Sequence, residues 1–343
     1  MHIGTIVASV IPPNTVFLHL TLVRIHTFEA PLKTFARVLI LLLLICSFAS
    51  GQTPAALNAG LGTSFSFVAY GDIRFMNPSN TRDSDPVRRK MLVQKIAGEK
   101  PSILLISGDI VAHGSDASQW SVFDQETAPL RDAAVSIYPA LGNHDLRGDQ
   151  AVALNNYFQR FPYLQKSRFY SVRAGNIMIF TIDSSLDHPG GEEMQWFDKQ
   201  VDSLPDGVQF VVVQLHHPPL TRSSNSIFGG GHSPRGEEQN MAQFLESKAA
   251  KSKAKFIVVA GHVHNYERYE RNGVMYIVTG GGGATPYMVP RQSNDAYRDG
   301  GATYHYCKFD VVPGKITMRM IKLTLNSNTP SWQERDSFQW SAK

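Results

Sequence analysis

Five clusters of oxygen and imidazole donors recur along the chain. They are Asp72 in YGDIR, Asp109 in SGDIVAHG, the triplet Asn143, His144 and Asp145 in LGNHD, His216 and His217 in LHHPP, and His262 and His264 in AGHVHNYER. The set contains no thiolate, which suits Mn, Fe or Zn rather than soft copper. Asp109 has two oxygens and can bridge two ions, and Asn143 can ligate through its carbonyl without adding charge. Two neighbouring ions can bind a phosphoryl group, activate a water and steady the leaving oxygen. Such a water loses its proton near neutral pH. Singly, each cluster is weak: an aspartate after a strand is ordinarily a turn former or helix cap. His262 and His264 are two apart in an extended segment and so face one side. The order of the five groups, each at the exit of an apolar run, points to metal.

Donors so far apart in sequence need elements that bring them together. SFSFVAYGD, SILLISGD, VSIYPALGNHD, VQFVVVQLHHPP and KFIVVAGHVHNYERY read as strands running into polar ends. Between the first two, DPVRRKMLVQKIAGEK reads as a helix with Asp85 as cap, Pro86 in the first turn and Gly98 as stop. Further helices are expected around Trp120 to Leu130, Glu192 to Leu204 and over RGEEQNMAQFLESKAAKSK. RFYSVRAGNIMIFTIDS reads as two strands around Gly175 and Asn176, and the final strands have hairpin spacing with a turn at Pro313 and Gly314. This alternation predicts an α/β fold, a four-layer α/β/β/α sandwich of mixed sheets with helices outside. The strand exits then line one edge. The domain is read as residues 62–325, followed by a C-terminal tail, 326–343, with Trp332 and Trp340 as exposed candidates. The Ser223 to Gly236 stretch reads as a mobile loop.

The 343 residues are 43% hydrophobic and 18% charged, enough for a substantial core. Lys and Arg number 33 against 29 for Asp and Glu. The first fifty residues supply Arg24, Lys33 and Arg37 against Glu29, so the remainder is nearly balanced and no basic nucleic-acid surface is indicated. Two cysteines, Cys46 and Cys307, exclude a disulfide framework. Lys33 and Arg37, the apolar run from Val38 to Cys46 and the small residues Ala49, Ser50 and Gly51 have the order of a signal peptide. The run is shorter than the ~20 residues a spanning helix needs. Residues 1–51 are therefore read as an N-terminal extension and signal peptide, and the product as secreted or periplasmic, with no stable membrane insertion after removal. An uncleaved N-terminal anchor is the alternative.

The ordered motifs GD, GD, GNHD, HHPP and GHVH, from Gly71 to His264, resemble the calcineurin-like metallophosphoesterase superfamily. AGHVHNYERY, with the glycine run after YIVT, resembles its purple acid phosphatase-like branch. The resemblance implies a metallophosphoesterase-like fold and two divalent or mixed-valence metal ions (Fe, Mn or Zn). It implies hydrolysis of phosphate monoesters or small phosphodiesters by a metal-bound hydroxide, with a small phosphorylated substrate and no nucleic acid. By position it gives Asp72 and His264 to the first ion, Asp109 to both, and Asn143, His216 and His262 to the second. His144 matches the substrate-facing histidine that steadies the phosphoryl group or protonates the leaving group, and His217 falls outside the ligand set.

The first ion is left short of a ligand. Arg74 stands where most of the superfamily has a histidine, and Ala112 where the purple acid phosphatase branch has a tyrosine. His113 is a candidate replacement provided the chain turns after Ile110, because a one-residue offset reverses a side chain in extended backbone. Arg74 is a candidate either to pair with a carboxylate or to hold a substrate phosphate through two hydrogen bonds. His232 is a candidate substrate contact, and Glu267 and Arg268 read as an ion pair or loop brace. Gly280 to Gly283 lack the Lys and Ser/Thr of a phosphate-binding P-loop and read as a tight turn near the pocket. The alternatives are a phosphodiesterase-specific enzyme and a non-catalytic metal-binding scaffold with an incomplete first site.

Overall fold

The computed structural model describes residues 54–186, 191–224 and 232–343, together with two short strands, Val7–Ala8 and Leu18–His19, that pair antiparallel. Apart from those two pairs, the signal-peptide reading of 1–51 lies outside the described residues, as do residues 225–231 of the Ser223–Gly236 loop.

Residues 54–343 form one compact unit. Its strands are β1 (Ala56–Asn58), β2 (Phe65–Tyr70), β3 (Ile103–Ile106), β4 (Ser136–Pro139), β5 (Tyr170–Ala174), β6 (Ile177–Thr181) and β7 (Phe210–Leu215). They continue as β8 (Lys255–Ala260), β9 (Tyr266–Arg271), β10 (Val274–Thr279), β11 (Tyr304–Val312), β12 (Lys315–Asn326) and β13 (Thr329–Ser341). Seven of them make one sheet in the order β9-β10-β8-β7-β6-β5-β1, and six make the other, β13-β12-β11-β2-β3-β4. The helices are α1 (Pro86–Glu99), α2 (Ala117–Glu126), α3 (Ala128–Asp132), α4 (Gln150–Arg160), α5 (Glu192–Asp202) and α6 (Gly236–Lys251).

The layers follow from the period-two alternation of side chains in a strand. Ile177 and Ile179 of β6, Phe210 and Val212 of β7, Ile257 and Val259 of β8 and Met275 and Ile277 of β10 enter the core shared with Phe67 and Leu105 of the other sheet. The intervening Phe180, Val211, Val213, Phe256, Val258 and Tyr276 pack instead with Phe197 of α5 and Leu245 of α6. A strand covered on both faces reads as a continuous apolar run, as FVVVQL and VMYIVT do. The expected four-layer α/β/β/α sandwich of mixed sheets is therefore the observed architecture.

Helix α1 begins as its sequence predicts. Asp85 accepts hydrogen bonds from the Val87 and Arg88 N–H groups, Pro86 needs no such partner, and Leu92, Val93 and Ile96 form the buried stripe. The helix passes Gly98 and ends at Lys100, whose left-handed backbone (φ 48°) closes the last turn.

The residues read as a tail beyond 325 form β13, the edge strand of the six-stranded sheet. Trp332 and Trp340 are half-buried against the main core rather than exposed. Arg268 on β9 donates to both carboxylate oxygens of Asp336 on β13 (2.7 and 2.9 Å), and the Tyr266 hydroxyl donates to Oδ2 (2.7 Å). The last strand thus joins the edges of the two sheets.

Candidate metal centre

Five parallel strands end in step. Tyr70 is in register with Ile106, Ile106 with Pro139, and Leu215 with Ala260. Asp72, Asp109 and Asn143 follow β2, β3 and β4 from one sheet, while His216 and His262 follow β7 and β8 from the other. Buried Gln214 of β7 ties the two edges together by donating to the carbonyls of Ile106 (2.5 Å) and Tyr138 (3.2 Å). Two glycines allow the close approach. A Cβ on Gly108 (φ +82°) would fall 2.6 Å from His216 Nδ1, and one on Gly261 would fall 2.6 Å from Asp72 Oδ2.

Asp72, Arg74, Asp109 and His262 all adopt left-handed backbone (φ 56°, 52°, 52° and 68°), a conformation non-glycine residues rarely take. Such strain persists where the surroundings over-determine it and clusters at functional sites. Here the constraints are visible. The N–H groups of Ile73 and Arg74 both donate to the Asp109 carbonyl at 3.0 Å. The buried Asp145 carboxylate accepts from the N–H groups of Val111 (3.1 Å) and Gly142 (2.9 Å), locking the loops that carry Asp109 and Asn143.

His216 is the hub of the site. Its Nδ1 lies 2.8 Å from the Ser107 carbonyl, which only accepts, so Nδ1 carries the proton and Nε2 presents a lone pair. Around Nε2 lie Asn143 Oδ1 at 3.1 Å, His262 Nδ1 at 3.2 Å and Asp109 Oδ1 at 3.3 Å. Only His262 has a hydrogen to offer within this set, so four electron-rich atoms share at most one proton. A cation resolves the repulsion. Two ligands each about 2.0–2.2 Å from one ion stand roughly 2.8–3.6 Å apart at right or tetrahedral angles, and the observed spacings fall there.

The other half is built differently. His264 donates from Nδ1 to the Thr285 carbonyl (3.0 Å) and turns Nε2 toward Asp72 Oδ1 at 3.5 Å. Asp72 Oδ1 is buried without a hydrogen-bond partner, while Oδ2 accepts from the His262 N–H (2.8 Å). Arg74 Nη2 donates to Asp109 Oδ2 (3.2 Å) and to His144 Nε2 (2.8 Å). His144 Nδ1 is held by the Ala112 carbonyl (3.0 Å), which makes Nε2 the acceptor. Two sets of ligand atoms lie within 4.8 Å of one another among the described residues: Asp72, Asp109 and His216, and His216, His217 and His262. His216 belongs to both and His264 to neither.

The electrostatics are those of a buried, charge-dense pocket. Burial raises the Asp72 carboxyl well above its ordinary value, and Asp109 adds to the rise. Burial would raise Asp109 as well, but His216, His144 and Arg74 overcome it and hold Asp109 below the usual carboxylate range. Burial lowers His144 to about 4 against the opposing pull of Asp109, with Arg74 reinforcing the fall. His264 is lowered to about 3, by burial first and Arg74 second. His262 is pushed far down by burial and then by His216 and His217. At neutral pH these imidazoles are uncharged, the form that binds metal.

The structure thus brings together Asp72, Asp109, Asn143, His216, His262, His264, His144 and Arg74. His232 is exposed, its ring 3.9 Å from that of His262. His113 is not brought in: it is exposed, its backbone N–H is held by Gln119 Oε1 (2.9 Å), and it belongs to neither set of ligand atoms. The turn after Ile110 that would have aimed it inward leads instead into the cap of α2, where Asp116 accepts from the Ser118 N–H. Glu267 and Arg268 do not pair with each other; buried Glu267 takes the Arg222 N–H (2.8 Å) and Arg291 (3.3 Å).

Two positioning residues lay outside the sequence reading. Fully buried Arg89 donates to the carbonyl of Arg74 (3.0 Å) and forms a two-point ion pair with Glu126 (2.7 and 2.8 Å). Ser184 faces His217, with its hydroxyl 2.9 Å from Nδ1. Arg89 has no sequence signal, since it lies on a helix rich in basic residues; Ser184 follows an apolar run, as the recognised donors do.

The Calcineurin-like phosphoesterase family matches residues 65–274. A probable purple acid phosphatase 20 of Arabidopsis thaliana is 25% identical over 220 residues, covering 57% of this chain and 50% of its own length. A probable cyclic nucleotide phosphodiesterase of Synechococcus is 28% identical over 172 residues, covering 48% of this chain and 58% of its own. The chain thus spans only about half the length of these curated relatives. A purple acid phosphatase from yellow lupin seeds shares the fold, with a TM-score of 0.64, 19% identity and coverage of 82% of this chain and 54% of that one.

Proposed function

The chain belongs to the calcineurin-like phosphoesterase family, and on that premise we propose that it hydrolyses phosphate monoesters or small phosphodiesters at the metal centre around His216. The observation that carries the reading is the lone-pair Nε2 of His216 facing Asn143 Oδ1, His262 Nδ1 and Asp109 Oδ1 within 3.3 Å. These residues would hold the ion, with Asp72 beside them. When bound, a divalent Fe, Mn or Zn supplies Lewis acidity to phosphoryl oxygens and lowers the pKa of a water.

The chain's own groups supply the rest. Arg74 presents a permanent positive charge beside Asp109 and His144 and can turn a second N–H toward a phosphoryl oxygen. Its hydrogen bond to His144 Nε2 fixes the imidazole and keeps that nitrogen an acceptor. In the resting state His144 thereby holds the Arg74 guanidinium that faces the phosphoryl group. It becomes a proton donor to the leaving oxygen only after taking up a proton, which burial delays to about pH 4. His232, exposed beside His262, contacts the part of the substrate beyond the phosphorus. Val38 to Cys46, with their basic flank, support export of the working part to a secreted or periplasmic location.

The test is hydrolysis of a monoester and a diester chromogenic substrate by the purified chain, before and after chelation and with Mn, Zn or Fe restored. Metal-dependent turnover abolished by His216→Ala is the expected outcome. Turnover indifferent to chelation, or none on either substrate with metal bound, would sink the proposal.

A further inference from the structure

We propose that the Arg74 guanidinium takes the place of one of two cations, so that the centre holds a single tightly bound divalent ion per chain. The inference rests on the metal-centre reading above and concerns how many ions that centre takes.

The two oxygens of Asp109 have different partners, and only one of them is a cation. Oδ1 accepts from the His144 N–H (2.9 Å) and faces the lone pair of His216 Nε2. Oδ2 accepts from Arg74 Nη2. A carboxylate that bridged two metals would offer Oδ2 to the second, and here a guanidinium holds it. The guanidinium is also not free to leave. The Arg74 side chain is 15% exposed, its backbone is fixed in the left-handed region, its N–H is bonded to the Asp109 carbonyl, and its own carbonyl is held by buried Arg89. Nη2 has a second acceptor in His144 Nε2, so moving it would leave two buried acceptors unpaired.

Beyond Asp109, this half is faced by Asp72 and His264. Asp72 Oδ1 and His264 Nε2 approach each other at 3.5 Å, and His264 joins neither set of converging ligand atoms. A divalent ion here would sit beside a fixed unit positive charge that shares its carboxylate oxygen, and like charges at such separation in a buried site repel strongly. An arginine does not lose its proton in proteins, so the conflict is not relieved by titration. The guanidinium supplies the charge that a second ion would bring, but as a planar hydrogen-bond donor and not as a Lewis acid.

The experiment counts ions in the full chain. The protein is equilibrated with Mn(II), metal content is measured after dialysis, and the Mn(II) EPR spectrum reports whether ions are isolated or exchange-coupled. The expected wild-type result is one manganese per chain with an uncoupled signal. Arg74→His replaces the charge with a neutral ligand and is expected to give two per chain with a coupled signal. Arg74→Gln keeps a hydrogen-bonding amide and is expected to tighten a second ion at least about tenfold, which keeps the test decisive if the histidine variant misfolds. Two coupled ions in the wild type would overturn this inference while leaving the metal-centre reading intact. A count that stays at one in both variants would also overturn it, because the guanidinium would not be what excludes the second ion. No bound ion in any form would overturn both readings.

Discussion

The two halves of the centre are made from similar residues and differ in what they leave unsatisfied. Around His216 the atoms are electron-rich: the His216 proton is committed to Ser107, which leaves at most one, on His262, for the whole set. Around Asp72 and His264 a cation is already present, because Arg74 has entered through the same strand exit that carries Asp72. One substitution in a loop turns half of a cation site into a cation-bearing wall. Motif matching alone ranks the halves as near equals, whereas tautomers and hydrogen-bond directions separate them.

The largest effect should come from the hub. His216→Ala is expected to cost roughly a thousandfold in turnover and to abolish tight metal binding, read by steady-state kinetics and metal analysis. Retained binding would erase the distinction between the halves. The next contrast pairs one residue from each side. Asn143→Ala should weaken the ion by about 10–100-fold, while His264→Ala should change its affinity by less than about threefold, both by competition with a chromogenic chelator. Equal losses would show that the halves bind as one. Arg89→Met addresses the brace behind Arg74: it leaves the Glu126 side chain buried with only Lys90 at 3.8 Å and should lower unfolding stability by about 3–5 kcal/mol in denaturant titration. His113→Ala should be the smallest change, within about 0.5 kcal/mol in stability and with turnover unaltered, since the side chain is exposed and outside the centre.

The fold was legible where burial is two-sided or where a cap is local. FVVVQL, KFIVVA and ILLI carry their strand assignment in an unbroken apolar run, and Asp85 with Pro86 announces α1. The last strand was not legible, because β13 is an edge strand of the six-stranded sheet and its TPSWQERDSFQWS is mostly polar. Its anchors, Trp332, Asp336 and Trp340, find their partners in residues distant in the chain.

The candidate ligands were legible because each follows a strand exit, and the topology alone carries them to one edge. The role of position 113 was not, since the side chain's direction depends on a turn set by the Gln119 side chain and the cap of α2. Nor was the buried brace: Arg89 resembles its half-buried neighbour Arg88 and its exposed neighbour Lys90 in sequence and differs in being fully buried, with a two-point ion pair to Glu126 on the next helix.

The asymmetry of the centre can be seen most directly in an anomalous difference map from crystals of the full chain grown with manganese or zinc and measured at the metal's absorption edge. One strong peak bonded to His216 Nε2 and Asp109 Oδ1 is expected, with Arg74 still donating to Asp109 Oδ2. Two peaks of equal height, with Arg74 swung away from Asp109, would contradict it.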